Sequence, residues 1–256
     1  GVQTCALPIC PLILAVPIAI VAGLSQAAKH GAIIKGGAIL ELLGKTETVL
    51  LDKTGTLTHG GPAITEINTR PGISDDELLA LAASVDQFSP HIVAKALVSE
   101  ARLRNLEMHA VTNLHEDSGH HISGEISGAT IKVGQLVHDA PAWLHFSHPL
   151  MVAVESNGEL LGVIGLKDPI RPEARAMVSD LRSAGVAHIA LVTGDREETA
   201  QEVADAVGIT EIYSKVSAEG KLDIARTAQA IANGSVVVVG DGINDAPALA
   251  AADVGV

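Results

Sequence analysis

Hydrophobic and polar positions divide the chain into three textures. From Ala6 to Leu24 it is almost continuously apolar, about the length a helix needs to cross a bilayer, and no charged residue precedes Lys29. Pro8, Pro11 and Pro17 are too many prolines for an ordinary buried helix. The pattern predicts a membrane-helix segment over residues 1–28. A signal peptide is the alternative, but no basic stretch precedes the apolar run and no initiating Met is present, so the segment is expected to belong to a longer chain. A mixed stretch from Lys29 to Lys45 then leads into Val49, Leu50 and Leu51, a short buried strand ending at Asp52.

The second texture runs from about His59 to Leu166. Ser74 and Glu77 form a capping box ahead of Leu78, Leu79, Leu81 and Ala82 at helical spacing, and a second helix is predicted through Ile92, Val93, Ala96 and Leu97. Ile126-Ser127-Gly128 and Val154 to Leu160, with a turn at Asn157-Gly158, predict antiparallel strands. From Lys167 onward, apolar strands alternate with amphipathic helices. The strands are Ile189 to Val192 and Val236 to Val239; the helices are Arg196 to Val207, stopped by Gly208, and about Ala218 to Ala232. Pro172 and Gly185 bracket another helix. This alternation predicts a parallel sheet covered on both faces. The expected fold class is therefore α/β, a Rossmann-like parallel sheet interrupted by an inserted α+β domain.

Composition sharpens the picture. A length of 256 residues allows roughly two domains. Phe88, Trp143, Phe146 and Tyr213 are the whole aromatic set, so the cores must be built from Ala, Val, Ile and Leu. A formal charge of -13 argues against a nucleic-acid partner, which requires basic patches. It suits a protein that handles a cation or a magnesium-bound nucleotide, although an acidic solvated surface is the commoner reason for such a charge. Cys5 and Cys10 are the only cysteines and make no disulfide framework, so the domains that follow are expected to be cytosolic.

Ligands of open parallel sheets bind beyond the carboxyl ends of the strands. Three predicted strands deliver Asp52, Thr193 and Asp241 to that edge. Lys53-Thr54-Gly55-Thr56 follows Asp52, and its glycine lets backbone N–H groups approach a phosphate. A carboxylate can attack phosphorus and form an acyl phosphate. Thr193-Gly194-Asp195 offers a hydroxyl and backbone donors, and Lys221, entering a helix, offers a positive charge. Asp241 and Asp245, in Gly240-Asp241-Gly242-Ile243-Asn244-Asp245, are hard oxygen ligands suited to magnesium. A phosphatase of this architecture needs an acid two positions after the nucleophile; Thr54 stands there, so hydrolysis of an aspartyl phosphate is expected to be slow.

Asp52-Lys53-Thr54-Gly55-Thr56-Leu57-Thr58, Thr193-Gly194-Asp195 and the run from Gly240 to Pro247 resemble the P-type ATPases, whose catalytic domain is haloacid-dehalogenase-like. The resemblance covers nearly the whole chain. It implies a phosphorylation domain over 29–58 and 167–256, a nucleotide-binding domain over 59–166, and a hinge at Asp168-Pro169 with Arg171-Pro172. It further implies Asp52, Thr54, Thr193 and Lys221 as catalytic groups, with Lys53, Gly55, Thr56, Gly194, Asp195 and Asn244 around phosphate. Magnesium would be held at Asp52, Thr54, Asp241 and Asp245, and ATP would be the phosphoryl donor.

Cys10-Pro11 in the apolar run and Lys35-Gly36-Gly37 resemble the heavy-metal-transporting class. There the proline frees backbone carbonyls and the thiolate of Cys10 is a soft ligand for the transported cation, the alternative being a packing role. In the nucleotide domain the likeness assigns adenine-side contacts to His91, within Ser89-Pro90-His91, and to Glu116, Gly119 and Gly124. His91 read alone is a capping or surface residue, and His115, His120 and His121 read alone are a solvated loop rather than a metal site. The implied whole is ATP-driven metal-cation transport across an inner or plasma membrane, with cytoplasmic catalytic domains. Further membrane helices and an actuator domain would be its partners. A soluble phosphatase of the same fold and a nucleotide-binding fragment without turnover are the competing readings.

Overall fold

Apolar runs of β-branched and aliphatic residues become strands here; in the parallel sheet Asp52 ends one of them, and Thr193 and Gly240 directly follow two others. In chain order, α1 (Pro11–Lys29) and α2 (Gly37–Leu43) precede β1 (Thr46–Asp52). The middle of the chain contributes β2 (Ala63–Thr69), α3 (Asp75–Asp86), α4 (Ile92–Leu103), β3 (Thr112–Asp117), β4 (His121–Ile126), β5 (Ala129–Gly134), β6 (Leu150–Ser156) and β7 (Glu159–Lys167). The remainder is α5 (Ala174–Ser183), β8 (His188–Val192), α6 (Glu197–Val207), β9 (Glu211–Tyr213), α7 (Ala218–Ile231), β10 (Ser235–Val239), α8 (Ala246–Ala251) and β11 (Val254–Gly255). This computed structural model describes residues 11–117, 121–136, 144 and 150–256.

Contacts divide the chain into two units, Gly1–Leu57 with Pro172–Val256, and Thr58–Arg171. The second unit takes in residues on both sides of the expected 59–166 insertion, because β7 runs through Lys167 and Thr58 bridges to Ile170. Helix α1 spans 19 residues with Pro17 inside it. No helix among the described residues is long and apolar enough to cross a membrane. The first part of the expected membrane segment, with Cys5 and Cys10, lies outside the described residues.

In the first unit a five-stranded sheet has the order β11-β10-β1-β8-β9. All its pairings are parallel, with Leu51 beside Val239 and Asp52 beside Val192. The ends of β10, β1 and β8 are thus adjacent. Val49, Leu50 and Leu51 are buried in the sheet, as are Ile189 to Val192 on β8. Helix α6 ends at Gly208, whose φ of 82° is the left-handed conformation glycine adopts without steric cost.

The second unit is a six-stranded antiparallel sheet, order β2-β7-β6-β5-β4-β3, with α3 and α4 packed against it. The hairpin turns Ser127-Gly128 and Asn157-Gly158 have positive φ at both positions, the geometry that matches strand twist. Ser74 caps α3 by accepting the Glu77 N–H at 3.2 Å. Leu78, Leu79 and Leu97 are fully buried, each such side chain contributing about 2 kcal/mol. The His115 to His121 stretch is not a loop throughout. His115 and Glu116 belong to β3 and His121 to β4, paired with Asp117 opposite His121. Every residue of β3 is exposed, so no apolar alternation marks it in the sequence.

Candidate active site

Strand β1 carries Asp52 at its end, and the chain then turns sharply. Thr54 (φ -75°, ψ 128°) and Gly55 (φ 74°, ψ -17°) have the torsions of a type II turn, which requires glycine at its third position. Gly55 is needed for space as well. A Cβ there would overlap the carboxylate of Asp241, which follows β10. Beyond Asp241 the chain tightens into a short 3-10 turn, Ile243–Asp245, that sets Asp245 at the start of α8. Gly240 has a similar reason to be glycine, since a Cβ would approach Asp245 Oδ2 to 2.6 Å.

Helix α7, capped by Ser217 accepting the Gly220 N–H at 3.1 Å, brings Lys221 to these acids. Its ammonium donates to Asp52 Oδ1 and to Asp245 Oδ1, each at 2.5 Å. The three side chains are only 12%, 11% and 5% exposed. Burial pushes the Asp52 carboxyl above its usual pKa, and the hydrogen bond from Lys221 offsets this only in part. Burial also works against the Lys221 ammonium, yet its hydrogen bonds to Asp245 and Asp52 prevail and hold it above the ordinary lysine value. The two directions have different origins, desolvation at Asp52 and the hydrogen bonds to two carboxylates at Lys221.

The carboxylates of Asp52, Asp241 and Asp245 have oxygens within 4.8 Å of one another. Hard oxygens at this spacing, beside a glycine whose side chain would fill the gap, fit a magnesium ion. Lys53 and Asp195, each named separately from the sequence, are joined by an ion pair of 2.7 Å. Thr193 is buried, and its Oγ1 accepts the Asp195 N–H at 3.2 Å. Thr54 and Asn244 are exposed and Thr56 is half-buried. The edge of this sheet therefore gathers three carboxylates, an ammonium shared by two of them and the glycine-bearing loops after β1 and β8. Such a set suits attack by Asp52 on a phosphoryl group.

In the second unit, a cavity of about 210 Å³ is lined by the predicted residues His91 and Glu116, with Ser89, His121, Ile122 and Val152 among its walls. His91 Nε2 lies 3.8 Å from Glu116 Oε1. Gly124 does not line this cavity; it is buried on β4, where a Cβ would run into Val111 Cγ1. Gly119 lies outside the described residues. One lining residue was missed. Asp86, the last residue of α3, is 6% exposed in the cavity wall. Its signal was present in the helical pattern, because Leu78, Ala82 and Asp86 recur at every fourth position of one stripe.

Comparison with known proteins gives the chain's relatives. Residues 46–253 match the family described as haloacid dehalogenase-like hydrolase. A zinc-transporting ATPase of Bacillus subtilis is 34% identical over 96% of the chain, and the chain spans 40% of that relative's length. The crystal structure of a zinc-transporting PIB-type ATPase in an E2.Pi state superposes with a TM-score of 0.80 at 35% identity, over 96% of this chain and 41% of that one. The catalytic domain of a CPx-ATPase, solved in a study of nucleotide-dependent conformational change, matches with a TM-score of 0.67 at 32% identity. That match covers 91% of this chain and 86% of that one.

Proposed function

The chain belongs to the haloacid dehalogenase-like hydrolases, among the heavy-metal P-type ATPases, and from that premise we propose that Asp52 accepts the terminal phosphoryl group of ATP. The observation that carries the reading is the Asp52–Lys221–Asp245 cluster beside Asp241 at the carboxyl edge of the parallel sheet. An Asp52 carboxylate oxygen forms the new bond to phosphorus as the bond from phosphorus to the bridging oxygen of ADP breaks. Lys221 keeps Asp52 ionised and oriented for that attack, while Asp241 and Asp245 would hold magnesium with it. Bound magnesium would neutralise charge on the transferring group. The Thr54-Gly55 turn and Thr193-Gly194 contribute donors to the phosphoryl oxygens. The adenine end of ATP occupies the cavity lined by His91 and Glu116.

The chain spans less than half of the transporter relative's length, so transport itself belongs to the longer protein of which this is the catalytic part. Its cargo would be a soft or transition-metal cation, held in the membrane at Cys10 and residues outside this chain. Thr54, which cannot act as a general acid or base, favours a long-lived phosphoenzyme over simple phosphatase turnover. The test is labelling with γ-phosphate-labelled ATP and magnesium followed by acid quench. Wild type should retain acid-stable label and Asp52→Asn should retain none; label persisting in the variant would overturn the assignment.

A further inference from the structure

Another cavity, of about 290 Å³, lies in the first unit between the parallel sheet and α7. Side chains alternate along a strand, and the register pairs Thr48 with His188, and Ala190 with both Leu50 and Glu211, so these five face α7 together. Helix α7 returns Ile224 and Ala228, one turn apart, as the facing wall. The space exists because two of these apolar positions, Ala190 and Ala228, are alanines. None of the lining residues belongs to the Asp52–Lys221–Asp245 cluster. Two observations separate this cavity from a mere packing gap. Thr48 is only 8% exposed, yet its hydroxyl makes no side-chain hydrogen bond among the described residues. A buried polar group without a partner is costly, and one in a cavity wall is satisfied by what enters. The lining also carries Glu47, Glu211 and Asp223 and no lysine or arginine. Its one base is His188, whose Nδ1 lies 3.1 Å from Glu211 Oε1, while Glu47 accepts from the Gly234 N–H. Exposed Tyr213 and Ile231 flank the opening with apolar surface.

We propose that this cavity binds a small organic cation, a primary amine carried on a compact apolar body. Its volume is at the lower end of ligand-site size, which limits that body to a single ring or a short branched chain. Leu50, Ala190, Ile224 and Ala228 receive the apolar part, and removing that surface from water drives entry. An ammonium has three donors and no acceptor. His188 stands beside Thr48 in register and contacts Glu211, so the hydroxyl and the carboxylate are neighbours at one end of the cavity. Thr48 Oγ1 accepts one ammonium N–H and the Glu211 carboxylate another, which gives the buried hydroxyl its partner and balances the acidic lining. A neutral alcohol of the same shape satisfies Thr48 alone. A carboxylate meets Glu47, Glu211 and Asp223 as like charges and is repelled. The site needs neither the nucleotide cavity nor Asp52.

The test is an NMR titration of the full chain, labelled at alanine methyl groups, with 2-phenylethylamine, 2-phenylethanol and phenylacetate in phosphate buffer near neutral pH. The three probes share one ring and differ in the charge at the end of a short arm. The Ala190 and Ala228 methyl signals should shift saturably with the amine. The amine should bind roughly tenfold more tightly than phenylacetate, with the alcohol between them. Glu211→Gln should reduce the preference for amine over alcohol severalfold. Ala190→Leu fills the cavity and should abolish the shift at Ala228. The rank order in wild type is decisive even if that variant is overpacked and folds poorly. No saturable shift at either methyl, an amine bound no more tightly than the other two probes, or a preference untouched by Glu211→Gln would overturn the assignment. So would undiminished amine binding in folded Ala190→Leu.

Discussion

Replacing Lys221 with Met removes the cation shared by Asp52 and Asp245 while keeping most of the side-chain volume. The remaining carboxylates have oxygens within 4.8 Å of each other and are 11% and 5% exposed. At an effective dielectric constant of about 20 their repulsion is about 3.5 kcal/mol. This agrees with the roughly 3–5 kcal/mol typical of breaking a buried ion pair. For a domain of this size the loss corresponds to a fall in Tm of roughly 6–20 °C in the first unit's transition. The sign with pH is fixed by the same groups. Asp52 is already raised by burial and rises further without Lys221, so the variant loses stability as pH increases through that folded value. The gap between wild type and Lys221→Met should be widest near pH 8 and narrow toward about pH 4 as Asp52, raised by burial, takes up a proton. Calorimetry over that pH range measures it, and millimolar magnesium should restore more stability to the variant than to wild type. A shift under about 2 °C at pH 8, or one undiminished at pH 4, would refute the view that Lys221 holds two ionised carboxylates together.

Gly55→Ala should cost about 1–2 kcal/mol from its left-handed backbone and displace the Asp241 carboxylate. Magnesium titration by calorimetry should then lose its binding heat, and retention of wild-type affinity would contradict the crowding. Thr54→Asp should supply the missing acid–base group and shorten the phosphoenzyme lifetime by about 10²-fold or more, read by pulse-chase; an unchanged lifetime sinks the explanation offered for Thr54. Asp168 accepts from Thr58 Oγ1 at 2.5 Å, from the Gly60 N–H at 3.0 Å and from the Gly61 N–H at 3.3 Å. Asp168→Ala should destabilise the second unit by about 2 kcal/mol and speed amide exchange at Gly60 and Gly61, whereas unaltered exchange would show those bonds to be dispensable.

The parallel-sheet edge was legible in the sequence because apolar runs there end abruptly in polar residues. Val49 to Leu51 before Asp52 and Ile189 to Val192 before Thr193 follow that rule, and Val236 to Val239 meets Asp241 after the single Gly240. Strand order and register then bring these ends together across large sequence separations. The partnership of Lys221 with two acids, and not one, depends on the turn that carries Asp245 back toward α7, which no periodicity reports. The cavity wall of the second unit was harder to read. Strand β3 is exposed throughout and carries no alternating pattern. Gly124, matched by motif spacing, serves packing against Val111. Asp86 shares its cavity with Ile122, Val133 and Val152, on strands that come much later in the chain.

The sheet order also sets an assembly schedule. Strand β1 lies between β10 and β8, and both of these partners follow Arg171 in the chain. During synthesis its apolar residues must therefore wait, unpaired, while the contiguous Thr58–Arg171 unit emerges and folds. Closing the loop around an already compact unit costs less entropy than closing it around a flexible chain of equal length. Slow or defective folding of the middle unit would thus prolong exposure of Val49, Leu50 and Leu51, a segment rich in strand-forming residues, and make aggregation the first symptom of lesions far from Asp52.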